Sequence, residues 1–262
     1  MYAFDIQRPS SVADAVTALA AEDAQALGGG QTLIPTLKQR LAMPTALVSL
    51  TGVTEMQGVA AERGSLRVGG ATTHATVAEQ AKGAFPGLAG LAAHIGDPAV
   101  RNRGTIGGSL ANNDPAACYP AGALGTGATI TTNKRDIAAD DYFQGMFTTA
   151  LEEGEIITAV SFPIPESSNY QKFVQPASRF ALVGVFVAKY SDGVRVAVTG
   201  ASNEGVHRWS EAEAALSADF SADAIAGLSV SADNLISDLH GSPEYRAHLV
   251  KVMTGRAVAA AS

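Results

Sequence analysis

Arg101-Asn102-Arg103-Gly104-Thr105-Ile106-Gly107-Gly108-Ser109 is the stretch on which the reading of the fold depends. It echoes an earlier bend, Gly28-Gly29-Gly30-Gln31-Thr32. Each pairs adjacent glycines with a hydroxyl residue, and a helix-like segment follows each. Adjacent glycines let main-chain N–H groups converge with no Cβ in the way. Amides converging at a helix start form an anion site. Two such sites in one chain point to a ligand with two linked phosphates, and a dinucleotide fits. With 27 glycines in 262 residues, either bend alone reads more readily as turn chemistry. Neither spells Gly-x-Gly-x-x-Gly, and no Gly-Lys-Ser/Thr ending occurs, so a Rossmann fingerprint and a P-loop are unsupported.

Working outward, Ser11 is expected to cap a helix with Asp14 three residues on, and Val12, Val16 and Leu19 mark its buried stripe. Gln25-Ala26-Leu27 reads as a strand entering the first bend. Thr32 is expected to cap a helix over Leu33 to Leu41, with Pro35 tolerated in its first turn. Ala46 to Leu50 then completes a β–turn–α–β unit. In the second unit Ser65 to Gly69 is strand-like, Thr73 caps a helix through Gln80, and Pro86 to His94 is an apolar helix. Asp114-Pro115 reads as a capping carboxylate before a proline, opening a helix to about Leu124. Strands follow at Ala128–Thr132 and Glu155–Phe162, with a polar turn at Asn133-Lys134-Arg135-Asp136 between them.

Residues 163–169, Pro-Ile-Pro-Glu-Ser-Ser-Asn, read as a linker. Beyond them the chain is strand-rich, at Tyr170–Val174, Ala181–Tyr190 and Val194–Thr199, with Ser191-Asp192-Gly193 as a hairpin connection. Helices over Ser210–Leu216 and from Pro243, capped by Ser242, close the chain. Tyr245, Leu249, Val252 and Met253 give the last helix an apolar face. Strands followed by helices suggest a small α+β domain.

The bulk numbers exclude several classes. An apolar fraction of 47% with 16% charged residues supports a packed core. A formal charge of −7, with no Lys/Arg cluster, argues against a nucleic-acid surface. No apolar run approaches the length of a membrane span. Met1-Tyr2-Ala3-Phe4-Asp5 shows no secretory pattern, so a reducing, cytoplasmic compartment is expected. Cys118 is the sole cysteine, so thiolates of this chain alone cannot hold an iron–sulfur cluster. His74, His94, His207, His240 and His248 show no metal-ligand spacing and are expected to be surface or structural.

Taken with its flanking residues, the glycine-bend pattern resembles the FAD-binding medium subunit of molybdenum hydroxylases, the family of carbon monoxide dehydrogenase, xanthine dehydrogenase and aldehyde oxidoreductases. The matching residues are Ala26 to Pro35 with Leu37-Lys38, then Ile95-Gly96-Asp97-Pro98 through Ser109-Leu110-Ala111, continuing in Asn113-Asp114-Pro115-Ala116-Ala117. Gly154-Glu155-Ile156-Ile157 adds a third motif, and Ser242-Pro243-Glu244-Tyr245-Arg246 fits the family's closing helix. The resemblance implies an α+β fold. A two-part, vanillyl-alcohol-oxidase-like α/β FAD-binding domain (1–165) would precede a small carboxy-terminal α+β domain with an antiparallel sheet (170–262).

The resemblance also implies which residues bind FAD. Gly28, Gly29, Gly30, Gln31, Thr32 and Leu33 would hold one phosphate, and Thr105, Gly107, Gly108 and Ser109 the other. Asn112 and Asn113, in a loop fixed by Asp114, would reach the ribityl chain. Ile157 matches a position whose backbone meets the flavin ring, and Lys172 a lysine that approaches it. Arg101 and Arg103 brace the loop, meet a neighbouring subunit or touch phosphate, and Asp114 is either a cap or an acid–base group. Phe180 is either beside the ring or a core side chain. Cys118 departs from the family, which often has an acidic residue there; a thiol is a weak donor. By resemblance the partners are a large molybdenum-cofactor subunit and a small subunit with two [2Fe-2S] clusters, assembled as a dimer of heterotrimers. No residue stands out as catalytic and no metal site is expected here. A self-sufficient flavin oxidase or dehydrogenase, or a flavin-free scaffold subunit, would be the competing readings.

Overall fold

The structure, a computed structural model, describes residues 1–261. Its first fifty residues form a parallel three-stranded sheet: β1 (Asp5–Gln7), β2 (Ala24–Leu27) and β3 (Ala46–Ser49), in the order β1-β3-β2. Helices α1 (Val12–Leu19) and α2 (Leu33–Lys38) make the two crossovers. The Ser11 hydroxyl accepts the Asp14 N–H at 3.1 Å, as the capping reading expects. Ala15 is the fully buried member of α1, with Val12, Val16 and Leu19 partly buried around it.

Two expectations for α2 need correction. Helix α2 stops at Lys38 rather than Leu41, because Arg40 turns left-handed (φ 61) and the Leu41 N–H folds back to the Thr36 carbonyl. That is a C-terminal stop made without glycine. The Thr32 side chain makes no cap bond.

The central region holds strands β4 (Val59–Glu62) and β5 (Ser65–Gly69), then helices α3 (His74–Gln80), α4 (Pro86–Ala93), α5 (Pro98–Arg101), α6 (Ile106–Asn112) and α7 (Tyr119–Thr126). Strands β6 (Thr129–Thr132) and β7 (Asp136–Ala138), short helix α8 (Ala139–Tyr142) and β8 (Ile157–Pro163) complete an antiparallel sheet, β4-β5-β8-β6-β7. Thr73 caps α3 as expected. The helix expected at Asp114 instead begins at Tyr119. Asp114 Oδ1 accepts the Ala116 N–H at 2.9 Å, and the Asp114 carbonyl accepts the Ala117 N–H, so the carboxylate closes a tight turn.

The third sheet is antiparallel, in the order β12-β11-β10-β9, from β9 (Ser167–Val174), β10 (Ala181–Tyr190), β11 (Gly193–Thr199) and β12 (His207–Arg208). Residues 167–169, expected as linker, belong to β9, because Ser167 already pairs with Lys189. The apolar run of β10 serves both faces of the sheet. Val183, Val185 and Val187 point toward α9 (Ser210–Ala218) and α10 (Pro243–Ala260), while Phe186 and Ala188 join the core of the central region. Alternation of side chains along a strand makes this possible. Ser242 caps α10 by accepting the Tyr245 N–H, as expected. Leu249 and Met253 are buried and Val252 partly so, whereas Tyr245 is exposed. No helix among the described residues is long and apolar enough to cross a membrane.

Candidate functional site

The two glycine bends lie against each other. A Cβ placed on Gly29 would fall 1.8 Å from the Arg103 carbonyl oxygen, and one on Gly28 would fall 2.8 Å from the Thr105 hydroxyl. Contacts that short exclude any side chain, so the glycines permit two backbones to touch. A third pair, Gly69-Gly70, completes the junction: a Cβ on Gly107 would sit 2.6 Å from the Gly70 carbonyl. The sequence reading misses this pair, although adjacent glycines at a strand end carry the same signal as the other two.

Beside the junction runs a cavity of about 610 Å³. Its wall includes Gly28 to Leu33, Thr105, Gly107, Gly108, Ser109, Asn112, Asp114, Ile157, Lys172 and Phe180. Apart from Asn113, every residue that the sequence assigns to the flavin site therefore lines one space.

The donors divide unequally between the bends. The N–H groups of Gly29, Gly30, Gln31 and Thr32 have no acceptor among the described residues, and the first committed N–H is that of Ile34, on the Gly30 carbonyl. In the second bend the Gly107 N–H is bonded to the Gly70 carbonyl at 2.9 Å. The Gly108 N–H is held by the Thr105 hydroxyl at 3.2 Å, and the Ser109 N–H by the Thr105 carbonyl at 3.0 Å. The expectation that both bends offer free amides is thus corrected. The second bend is a capped helix start whose glycines serve close packing, and it brings Ser109 and Asn112 to the wall.

Arg101 braces the loop: its Nη1 donates to the carbonyls of Ile95 (2.9 Å) and Gly96 (3.2 Å), and Arg103 contributes its carbonyl to the Gly29 contact. Asn113 is left-handed (φ 42), and its amide donates to the Gly145 and Thr148 carbonyls, both at 2.8 Å, so it is committed away from the cavity. Phe180 is 45% exposed at the cavity wall and is not a core side chain. Burial pushes the Asp114 carboxyl upward, against the Ala116 N–H that favours its charged form. Lys172 Nζ donates to the His94 carbonyl at 3.0 Å. Cys118 is buried at the start of α7 and lines the cavity. No group of three or more potential metal ligands occurs among the described residues.

His74, expected to be surface or structural, is structural with a consequence. It is 4% exposed, packs against Gly104 and Tyr119, and its Nδ1 has no hydrogen-bond partner. Burial, and then the nearby charge of Arg101, lower its pKa to about 4. The unfolded chain takes up this proton near pH 6.5 and the folded chain does not, so the contribution to stability is whole above 6.5 and declines toward 4. The loss reaches about 3 kcal/mol. Melting temperatures of the apo chain between pH 4 and 7 should show this slope, and His74→Gln should flatten it. An unchanged slope in the variant would assign the effect elsewhere.

Comparison with known proteins agrees with this geometry. The profile of a family described as the FAD binding domain in molybdopterin dehydrogenase matches residues 2–165. The chain is 34% identical to the nicotine 6-hydroxylase medium subunit of Paenarthrobacter nicotinovorans, covering 95% of this chain and 94% of that one. It is also 34% identical to the carbon monoxide dehydrogenase medium chain of Afipia carboxidovorans, over 97% and 95%. Among solved structures, quinoline 2-oxidoreductase from Pseudomonas putida 86 superposes with a TM-score of 0.88 at 31% identity, covering 98% of this chain and 96% of that one. Reconstituted carbon monoxide dehydrogenase from Oligotropha carboxidovorans gives 0.87 at 31%, over 98% and 97%.

Proposed function

Because the chain belongs to the family of FAD-binding domains of molybdopterin dehydrogenases and is an oxidoreductase subunit, we propose that it is the electron-transfer subunit of a heteromeric molybdenum hydroxylase. Its partners in this reading are a large molybdenum-cofactor subunit and a small [2Fe-2S] subunit, in a cytoplasmic dimer of heterotrimers. When bound, FAD supplies the redox chemistry, receiving electrons from the partner's clusters and yielding them to an external acceptor.

One observation carries the reading: the two bends are in contact and the first brings uncommitted amides to the wall of a cavity of about 610 Å³. The residues fit a dinucleotide. Gly29 to Thr32 offer main-chain donors for a diphosphate, and Ser109 and Asn112 offer side-chain donors across the same space. Charged hydrogen bonds of this kind are the strong ones, and amides need no counter-cation. Ile157 and Phe180 give apolar wall for the ring, and Asp114 orients the turn that leads into α7. The division at residues 1–165 and 170–262 would place both bends in the first domain and Lys172 and Phe180 in the second.

Lys172 would lie beside the ring and favour its reduced, negatively charged form. Lys172→Met is then expected to move the flavin midpoint potential to a more negative value, read by dye equilibration; an unchanged potential removes Lys172 from the ring. For the function itself, the chain purified alone should carry FAD in a one-to-one ratio. It should not turn over carbon monoxide, aldehydes or purines. Turnover of any of these without partner subunits would overturn the proposal.

A further inference from the structure

We propose that Thr199, in the carboxy-terminal sheet, is a positioning residue for FAD: it turns the Cys118 peptide N–H toward the cofactor and is itself held in place by Arg246. The inference rests on FAD occupying the cavity described above. Thr199 ends β11, is fully buried, and does not line the cavity. Its hydroxyl lies 2.8 Å from the carbonyl oxygens of both Pro115 and Ala117, sharing one proton between them. The Gly200 N–H adds a bond to the Pro115 carbonyl at 2.7 Å, and the Ala181 N–H reaches the Ala116 carbonyl at 3.4 Å. Three successive carbonyls of the turn after Asp114 are thus gripped by the four-stranded sheet.

The grip fixes where the opposite edges of those peptides point. In a trans peptide the C=O and the following N–H are antiparallel. Holding the Pro115 carbonyl sends the Ala116 N–H to Asp114 Oδ1, 2.9 Å away, and holding the Ala116 carbonyl sends the Ala117 N–H to the Asp114 carbonyl. By the same geometry, the Ala117 carbonyl on Thr199 sends the Cys118 N–H away from β11. Asp114 and Cys118 both line the cavity, so that edge of the turn is the one the cofactor meets. The main-chain donor at 118 does not depend on the side chain, so a cysteine serves at that position.

Arg246, in the closing motif of α10, makes the second layer. It is 1% exposed, and its Nη1 donates to the Gly200 carbonyl at 2.7 Å and the Leu182 carbonyl at 2.8 Å. These carbonyls belong to the residues that follow Thr199 and Ala181. Asp238 Oδ1 accepts from Nη2 at 2.8 Å and keeps the buried cation paired. A planar fork with several fixed donors suits two carbonyls on neighbouring strands.

The test compares Thr199→Val, which keeps the shape without the hydroxyl, with Thr199→Ser, which keeps the hydroxyl. FAD titration of the full-length apo chain should show about tenfold weaker binding for the valine variant, with an altered visible circular dichroism of the bound flavin. The serine variant should stay within twofold of the unaltered chain on both readouts. Equal affinity and spectrum for valine, or a serine variant as weak as valine, would overturn the proposal. Amide hydrogen exchange at Cys118 of the unaltered chain, with and without FAD, tests the assignment even if the valine variant does not fold. Slowing on FAD binding supports it, and exchange indifferent to FAD defeats it. An unaltered chain that binds no FAD at all would instead defeat the reading of the cavity.

Discussion

Gly29→Ala is expected to yield a chain that folds poorly or purifies colourless, with FAD affinity reduced more than a hundredfold, equivalent to about 3 kcal/mol. The added methyl would lie 1.8 Å from the Arg103 carbonyl oxygen and 2.6 Å from the Gly104 Cα, both main-chain atoms that cannot swing aside. Relief requires the first bend to withdraw from the second, which in the proposed site would part the donors on either side of the diphosphate. Gly90→Ala is the control. It lies in the interior of α4 with open space where its Cβ would be, and alanine there favours the helix by about 1 kcal/mol. The flavin-to-protein ratio of the two purified variants separates the cases. A fully loaded Gly29→Ala chain would show that the contact between the bends does not matter for binding.

Glu155→Ala should cost about 3 kcal/mol of stability, and lower the melting temperature of the apo chain by about 8 °C. The carboxylate side chain is fully buried two residues before β8 and accepts from Thr132 Oγ1 (2.7 Å), Arg135 Nε (3.1 Å) and Nη2 (3.2 Å), and the Glu152 N–H (2.8 Å). Removing it strands the Glu152 amide and the Arg135 Nε–H, and unties the polar turn from the third motif, whose Ile156 and Ile157 form cavity wall. Burial alone raises the Glu155 pKa, but the hydrogen bonds from Arg135, Glu152 and Thr132 outweigh it and hold the group at about 2. A folded pKa below the unfolded value means the stabilisation is present above about pH 4.5 and is lost as pH falls toward 2. Because Arg135 is 44% exposed and screened, the acid-dependent part is about 2 kcal/mol. Acid titration of the unaltered chain and the variant should converge near pH 2. Parallel curves would mean that another carboxylate dominates.

Local rules explain which sequence expectations the structure bears out. Ser11, Thr73 and Ser242 each cap a helix through an N–H three residues on, an interaction complete within four residues. The hairpin at Ser191-Asp192-Gly193 is equally local. Asp114 obeys a competing local rule, since its carboxylate can close a turn two residues on as readily as cap a helix. Asn113 is misplaced and Phe180 undecided in sequence for a different reason. The partners of the Asn113 amide lie 32 and 35 residues away, and the wall that Phe180 joins is assembled from distant regions of the chain.

The amino-acid order by itself determined that glycine pairs recur at two bends, that each precedes a helix, and that the chain resembles an FAD-binding subunit. Side-chain absence is written directly in the residues, and capping needs only near neighbours. Only the tertiary structure decided which amides stay free. The Gly107 N–H is consumed by Gly70, and the carbonyls after Asp114 are consumed by Thr199, Gly200 and Ala181. A main-chain N–H has one proton to give, and whether it goes to ligand or protein depends on which strand the fold brings within about 3 Å.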